Sequence, residues 1–157
     1  MSKVRLFLAV AMFALVGFVA ESNAQSKSKA AVTELTLSGT DAMQFDKKEL
    51  KVKAGATVKL TLKHTGKLAK AAMGHNFVLL AQGTDVASFG AKAAQARDNS
   101  YIPTDKDLAA KVLAHSDLIG GGESTTVEFK APKKGTYTYI CSFPGHYALM
   151  QGKLIVE

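Results

Sequence analysis

Ten residues near the C-terminus, Cys141-Ser142-Phe143-Pro144-Gly145-His146-Tyr147-Ala148-Leu149-Met150, restrict the fold more than any other stretch. They hold the only cysteine of the chain, then a histidine, then a methionine. Pro144-Gly145 is a turn dipeptide, so the chain folds back between the first two of these side chains. The run Thr136–Ile140 leads in and Gly152–Glu157 leads out, both with strand-like patterning. The three side chains therefore lie on one tight loop that joins two strands at one end of a β-fold. A thiolate, an imidazole and a thioether form a soft donor set, suited to copper in its two common oxidation states. A second histidine is needed to complete a His₂Cys site with a distant methionine, the arrangement of blue-copper electron transfer. The best candidate is His75, which opens the apolar run Phe77–Leu80 about 65 residues upstream of Cys141.

The beginning of the chain reads as a targeting segment. Lys3 and Arg5 precede an uncharged, mostly apolar run from Leu6 to Ala20, and Ser22-Asn23-Ala24 supplies small residues for cleavage. The run is short for a membrane span and fits a secretory signal peptide over residues 1–24. No cysteine follows it that could take a lipid. Residues 25–30 are polar and read as a flexible lead-in, and residues 31–157 as one domain. Without the leader the chain has 18 basic and 12 acidic side chains, a net charge of +6. The lysines are spread out rather than clustered with aromatics, which argues against nucleic acid and for a solvated basic face. A single cysteine excludes an intramolecular disulfide; in an oxidising compartment such a thiol is buried, paired with another chain or bound to metal.

Val32–Leu37, Glu49–Lys53 and Thr57–Lys63 alternate with period two, separated by turns, and predict an antiparallel sheet with one buried face. Residues 64–73 read as a loop. Between Gln82 and Leu113 alanine is frequent and alternation disappears, which predicts a helical flap: a helix over 86–96, and a second from an N-cap at Thr104 towards Val112. Ile119-Gly-Gly-Gly122 is read as a turn, because no Lys-Ser/Thr follows to make a phosphate loop. Ser124–Lys130 is a further strand. The prediction is an all-β Greek-key sandwich of seven or eight strands with a helical flap inserted.

The loop with its C-x₄-H-x₃-M spacing resembles the ligand loop of the azurins, small type 1 copper proteins of the cupredoxin family. Met73-Gly74-His75-Asn76 resembles that family's first-histidine motif. Asp41–Phe45 and Ala114–Gly120 extend the likeness in order across almost the whole mature chain. The resemblance implies one copper ion with His75, Cys141 and His146 as equatorial ligands, Met150 as a distant axial sulfur and the Gly74 carbonyl as a weak contact opposite. It implies that Asn76, with the backbone after Cys141 up to Phe143, ties the ligand loops together and donates hydrogen bonds to the thiolate. It implies an apolar docking patch around His146 formed by Met43, Leu68, Met73, Phe143, Pro144, Ala148 and Leu149. The implied function is a one-electron carrier, not an enzyme, that meets redox donors and acceptors in the periplasm without stable membrane insertion.

Two positions depart from the family. The disulfide usual near the N-terminus has no cysteines here, and a core tryptophan is replaced by Phe77. Of the remaining histidines, His64 falls where the family has a residue near the site that does not ligate, and His115 is expected at the surface. Two other functions use the same residues. A copper or zinc carrier for delivery would employ Cys, His and Met, though usually as exposed, exchangeable ligands. A thiol enzyme would need Cys141 activated by His146 and a third residue to orient the base, which the sequence does not identify.

Overall fold

The computed structural model describes residues 32–157. The signal peptide over 1–24 and the lead-in over 25–30 lie outside the described residues. Two sheets form the domain. One has the order β2-β1-β4-β7, with β1 (Val32–Thr40), β2 (Gln44–Phe45), β4 (Thr57–His64) and β7 (Ser124–Lys130). The other has the order β3-β9-β8-β5-β6, with β3 (Glu49–Val52), β5 (Val78–Leu80), β6 (Val112–His115), β8 (Gly135–Ile140) and β9 (Gln151–Val156). Side chains of alternate residues point between the sheets: Val58, Leu60, Leu62 and His64 from β4, and Tyr137 and Tyr139 from β8. Fully burying an aliphatic side chain of this size contributes about 1.5–3 kcal/mol. The β-sandwich with a helical insertion is the fold that the sequence predicts. It has nine strands among the described residues where seven or eight are expected, because short strands such as β2 and β6 leave little pattern to read.

One expectation about pairing is corrected. The three early alternating runs do not form one antiparallel sheet. β1 runs parallel to β4, in register Leu35↔Leu60 and Leu37↔Leu62, while β3 lies in the other sheet and runs parallel to β9. Alternation reports which face of a strand is buried, not which strand lies beside it. The parallel pair has a consequence for the site. Thr40 and His64 end their strands at the same edge of the sandwich, so the segments that follow them lie together there.

β5 is buried on both faces, and the reason is the flap. Leu79 and Phe77 join the main core between the sheets, whereas Val78 and Leu80 pack with Phe89, Ala93, Ile102 and Ile140 in a second core beneath the flap. A strand covered on both faces shows a continuous apolar run instead of alternation. The flap holds α2 (Val86–Ala93), a 3-10 turn over Arg97–Asn99, and α3 (Lys106–Ala109). Asp85 caps α2 by accepting from the Ser88 N–H at 2.7 Å. Asp105, not Thr104, caps α3, accepting from the N–H groups of Asp107 and Leu108. The second helix is only one turn, because Val112–His115 leaves it to become the edge strand β6, paired with β5 across a bulge. A further single turn, α1 (Lys70–Met73), interrupts the segment read as loop.

Phe77, which stands where the family has tryptophan, is fully buried and packs on Tyr139 and Phe129 at centroid distances of 5.5 and 6.1 Å. Phe77→Ala is expected to lower stability by about 3–5 kcal/mol, read as a fall in the urea midpoint at unchanged slope.

Candidate metal centre

The site lies where β5 and β8 run side by side. Val78 faces Ile140 and Leu79 faces Tyr139, so His75, just before β5, and Cys141, just after β8, emerge at neighbouring positions of one sheet edge. Sixty-odd residues of sequence separation vanish in that pairing. The backbone of His75 is pinned by a two-way bridge to Ile119, with both N–H···O distances 2.9 Å. Gly120 and Gly121 pack against the chain around Lys67 and Lys70, where a Cβ would strike backbone, and Gly122 has φ +78°. They form a turn, as the sequence indicates.

The loop from Cys141 to Met150 is closed by its own backbone. The Cys141 N–H donates to the Met150 carbonyl at 2.9 Å, and the Met150 N–H donates to the His146 carbonyl at 2.7 Å. Gly145 has φ +80°, a left-handed conformation that glycine adopts without a Cβ penalty, and it turns the chain into a 3-10 turn over His146–Ala148. Asn76 ties this loop to the His75 segment. Its Oδ1 accepts the Ser142 N–H at 2.8 Å, and its Nδ2 donates to Ser142 Oγ at 2.9 Å and to the Ser100 carbonyl at 3.2 Å. Ser142 Oγ donates in turn to the Tyr101 carbonyl at 2.8 Å. Ser100 and Tyr101 both have positive φ, which aims these two carbonyls at the ligand loops.

One nitrogen each from His75 and His146 and the sulfur of Cys141 lie within 4.8 Å of one another, and all three residues are buried. Cys141 Sγ is 3.6 Å from His146 Nδ1 and 3.8 Å from the Gly74 carbonyl. Met150 is fully buried and joins them from the side of β1. Gly39 leaves the room: a Cβ there would stand 2.6 Å from His75 Cδ2 and 3.2 Å from the Met150 methyl. Gly74 is likewise packed bare against the Phe143 ring and the Lys70 carbonyl. Neither requirement was read from the sequence, although a glycine at an inward position of an alternating strand, as at Gly39, is a signal of close approach.

The donor atoms fit a soft cation. His75 Nε2 is 2.9 Å from the Thr40 carbonyl and Nδ1 is 3.0 Å from the Gly74 carbonyl. Burial, reinforced by the neighbouring His64, holds the His75 pKa below its ordinary value, so the ring is neutral and has one N–H for two carbonyls. With that N–H on the Thr40 carbonyl, Nδ1 directs a lone pair beside another acceptor, a juxtaposition that a cation relieves. Burial, with the imidazoles of His75 and His64, pushes His146 down to about 4, which keeps its lone pair free at neutral pH. Burial pushes the Cys141 thiol up to about 12, against the opposing effect of the Asn76 and Phe143 backbone N–H groups directed at its sulfur. Those two N–H groups are placed to hold Cys141 as a thiolate, the form in which it would bind a metal. The same shift opposes the thiol-enzyme reading, which needs a lowered thiol pKa at an accessible sulfur.

His64 lies beside the site without entering it. It is stacked on His75 at 4.1 Å, its Nε2–H donates to the Met73 carbonyl at 2.8 Å, and its Nδ1 accepts the Gly66 N–H at 3.1 Å. His115 is exposed.

The family of copper binding proteins described as plastocyanin/azurin matches residues 31–157. The chain belongs to this family. Its cofactor is copper, and it is an electron carrier rather than an enzyme. It is 46% identical over 122 residues to azurin-1 of Alcaligenes xylosoxydans xylosoxydans, covering 75% of this chain and 92% of that one. It is 44% identical over 129 residues to the azurin of Bordetella pertussis, covering 80% of this chain and 84% of that one. Among solved structures, auracyanin A, a "blue" copper protein from Chloroflexus aurantiacus, superposes with a TM-score of 0.73 at 36% identity, covering 81% of this chain and 100% of that one. An azurin isoform of Methylomonas sp. strain J gives a TM-score of 0.69 at 36% identity, covering 80% of this chain and 98% of that one.

The lowered histidine pKa values set a pH dependence for the metal-free protein. In the unfolded chain both histidines take up protons below about pH 6.5, while the fold keeps them neutral. Their stabilising contribution is complete above that pH and is lost as the pH falls towards about 4, the value of His146. The thermal midpoint of the apoprotein is therefore expected to fall between pH 6.5 and 4, and His146→Gln is expected to flatten that fall. Differential scanning calorimetry of the two apoproteins across this range is the check.

Proposed function

We propose that His75, Cys141 and His146 hold the copper as equatorial ligands, with Met150 and the Gly74 carbonyl as weak contacts on opposite sides. The observation that carries this reading is the convergence of three donor atoms within 4.8 Å, from two loops, in residues that are 0–3% exposed. Copper, when bound, supplies a single-electron couple between Cu(II) and Cu(I), for which two imidazoles, a thiolate and a weak thioether are a compromise donor set. The protein's part is to keep that donor set in one place. The Asn76–Ser142 hydrogen bonds lock the two ligand segments together, and the Thr40 carbonyl orients the His75 ring. The Phe143 ring lies 4.6 Å from the His146 ring, and with Met150 and the main core it excludes water as a competing ligand.

Electrons enter and leave through His146, at the base of an apolar surface where redox donors and acceptors dock in turn. Leu149 and Leu68 are 54% and 45% exposed, and Pro144 and Ala148 are exposed beside the ligand loop. Met43 and Met73 are half-buried, and Phe143, 7% exposed, belongs to the floor of the patch rather than its surface. No helix among the described residues is long and apolar enough to cross a membrane. The leader over residues 1–24, with cleavage after Ala24, supports export to the periplasm, and mass spectrometry of the exported chain tests it.

Delivery of metal is the reading that must be separated from electron carriage. Buried ligands in one rigid site favour the carrier. The copper-loaded protein is expected to accept one electron per chain and to return it over repeated cycles of ascorbate and oxidant without losing metal. Release of Cu(I) to a chelator in the first reduced phase would instead favour delivery. Leu149→Asp places a charge in the patch, and it is expected to slow electron self-exchange between two copies of the protein at least tenfold, followed by NMR line broadening, with the visible band unchanged.

A further inference from the structure

The two histidines of the site are held in different ways. His75 has a carbonyl at each ring nitrogen and His64 stacked on its face. The only hydrogen-bond contact of the His146 ring among the described residues is the one with Cys141 Sγ, at 3.6 Å. The backbone bonds of its turn among the described residues run within the turn and to Phe143 and Met150 of the same loop. From outside come only two exposed side-chain bonds, Gln151 Nε2–H to the Ala148 carbonyl and Lys48 Nζ–H to the Leu149 carbonyl, both at 3.1 Å. Packing must therefore fix His146, and Tyr147 supplies a contact from the outer side.

Helix α2 has a glycine at its middle, Gly90, where glycine is a poor helix former. A Cβ at Gly90 would overlap the Tyr147 ring, so that ring rests on bare helix backbone. Tyr147 and His146 occupy the same 3-10 turn, in which successive side chains diverge by about 120°. His146 accordingly faces Cys141 and His75, while Tyr147 faces the flap and packs on the core that holds Phe89, Ala93 and Ile140. No reading of the copper ligands requires an aromatic at 147 or a glycine at 90.

We propose that Tyr147 is a positioning residue for His146, seated on Gly90, so that the flap helix sets the position of this second histidine. The proposal rests on the copper reading above for its effect on the metal, but the clamp itself is a property of the chain. Its removal frees the turn His146–Ala148 to move as a unit, leaving His75 and Cys141 where their own hydrogen bonds hold them.

The test compares Tyr147→Ala, Tyr147→Phe, Gly90→Ala and the double variant Gly90→Ala/Tyr147→Ala. In the metal-free protein, Tyr147→Ala is expected to speed amide exchange of His146, Leu149 and Met150 at least tenfold more than that of Leu60 and Leu62 in β4. With Cu(II) bound, the same variant is expected to release copper to EDTA at least tenfold faster and to shift the reduction potential. Tyr147→Phe keeps the ring and is expected to match the wild type in every measurement. Gly90→Ala is expected to resemble Tyr147→Ala and to add nothing in its background, since both break one contact. If Tyr147→Ala does not fold, Tyr147→Leu replaces it under the same criteria. Equal acceleration in the loop and β4, with release rate and potential unchanged, would overturn the proposal, as would additive effects in the double variant. A wild type that takes up no copper would sink the copper reading, while amide exchange would still decide the clamp.

Discussion

The pairing of β5 with β8 is the contact on which the site depends. It sets the end of one strand beside the start of another, so that His75 and Cys141 leave the sheet together. The Asn76 side chain then continues the ladder beyond the last strand pair, doing for the two ligand segments what backbone bonds do inside the sheet. Because Asn76 and Ser142 are both fully buried, these hydrogen bonds have no water to replace them, and breaking them leaves polar groups stranded. The precision of the site is inherited from the sheet.

The rest of the fold closes around that edge. The parallel pairing of β1 with β4 brings the Thr40 carbonyl to His75 and places the segment after His64 alongside. Gly39 keeps β1 thin enough for His75 and Met150 to meet. The flap covers the outer face of β5 and β8 and turns the carbonyls of Ser100 and Tyr101 inward to the same network. The burial that raises the Cys141 thiol and lowers the two imidazoles makes the donor set costly to charge, whether by a proton lost from the thiol or a proton gained by an imidazole. A metal ion answers that constraint in a way that a proton cannot, by satisfying several lone pairs at once.

Much of this was legible in the sequence, for reasons that differ from residue to residue. Cys141, His146 and Met150 lie on one short segment with a turn in it, so their proximity needs no knowledge of the fold. His75 is distant in sequence, and only its motif singled it out among four histidines. Buried faces were readable from alternation, but neighbours were not, which is why the parallel pairs of β1 with β4 and β3 with β9 had to be corrected. β6 was unreadable because it is a four-residue edge strand whose identity comes from its partner β5. The uninterrupted run Phe77–Leu80 reads in the sequence only as apolar; its burial on both faces emerges with the flap that covers the second. The glycines at 39 and 90 looked like ordinary small residues, since the sequence does not say which ring will lie over them.

The most direct test of the central claim is a visible spectrum of the mature protein on adding Cu(II) to the apo form, with Cys141→Ser beside it. A buried thiolate in an imidazole-rich site predicts intense absorption of red light, bleached by ascorbate, restored by oxidation and absent from the serine variant. A pale solution, or a spectrum the same with serine at 141, would contradict it.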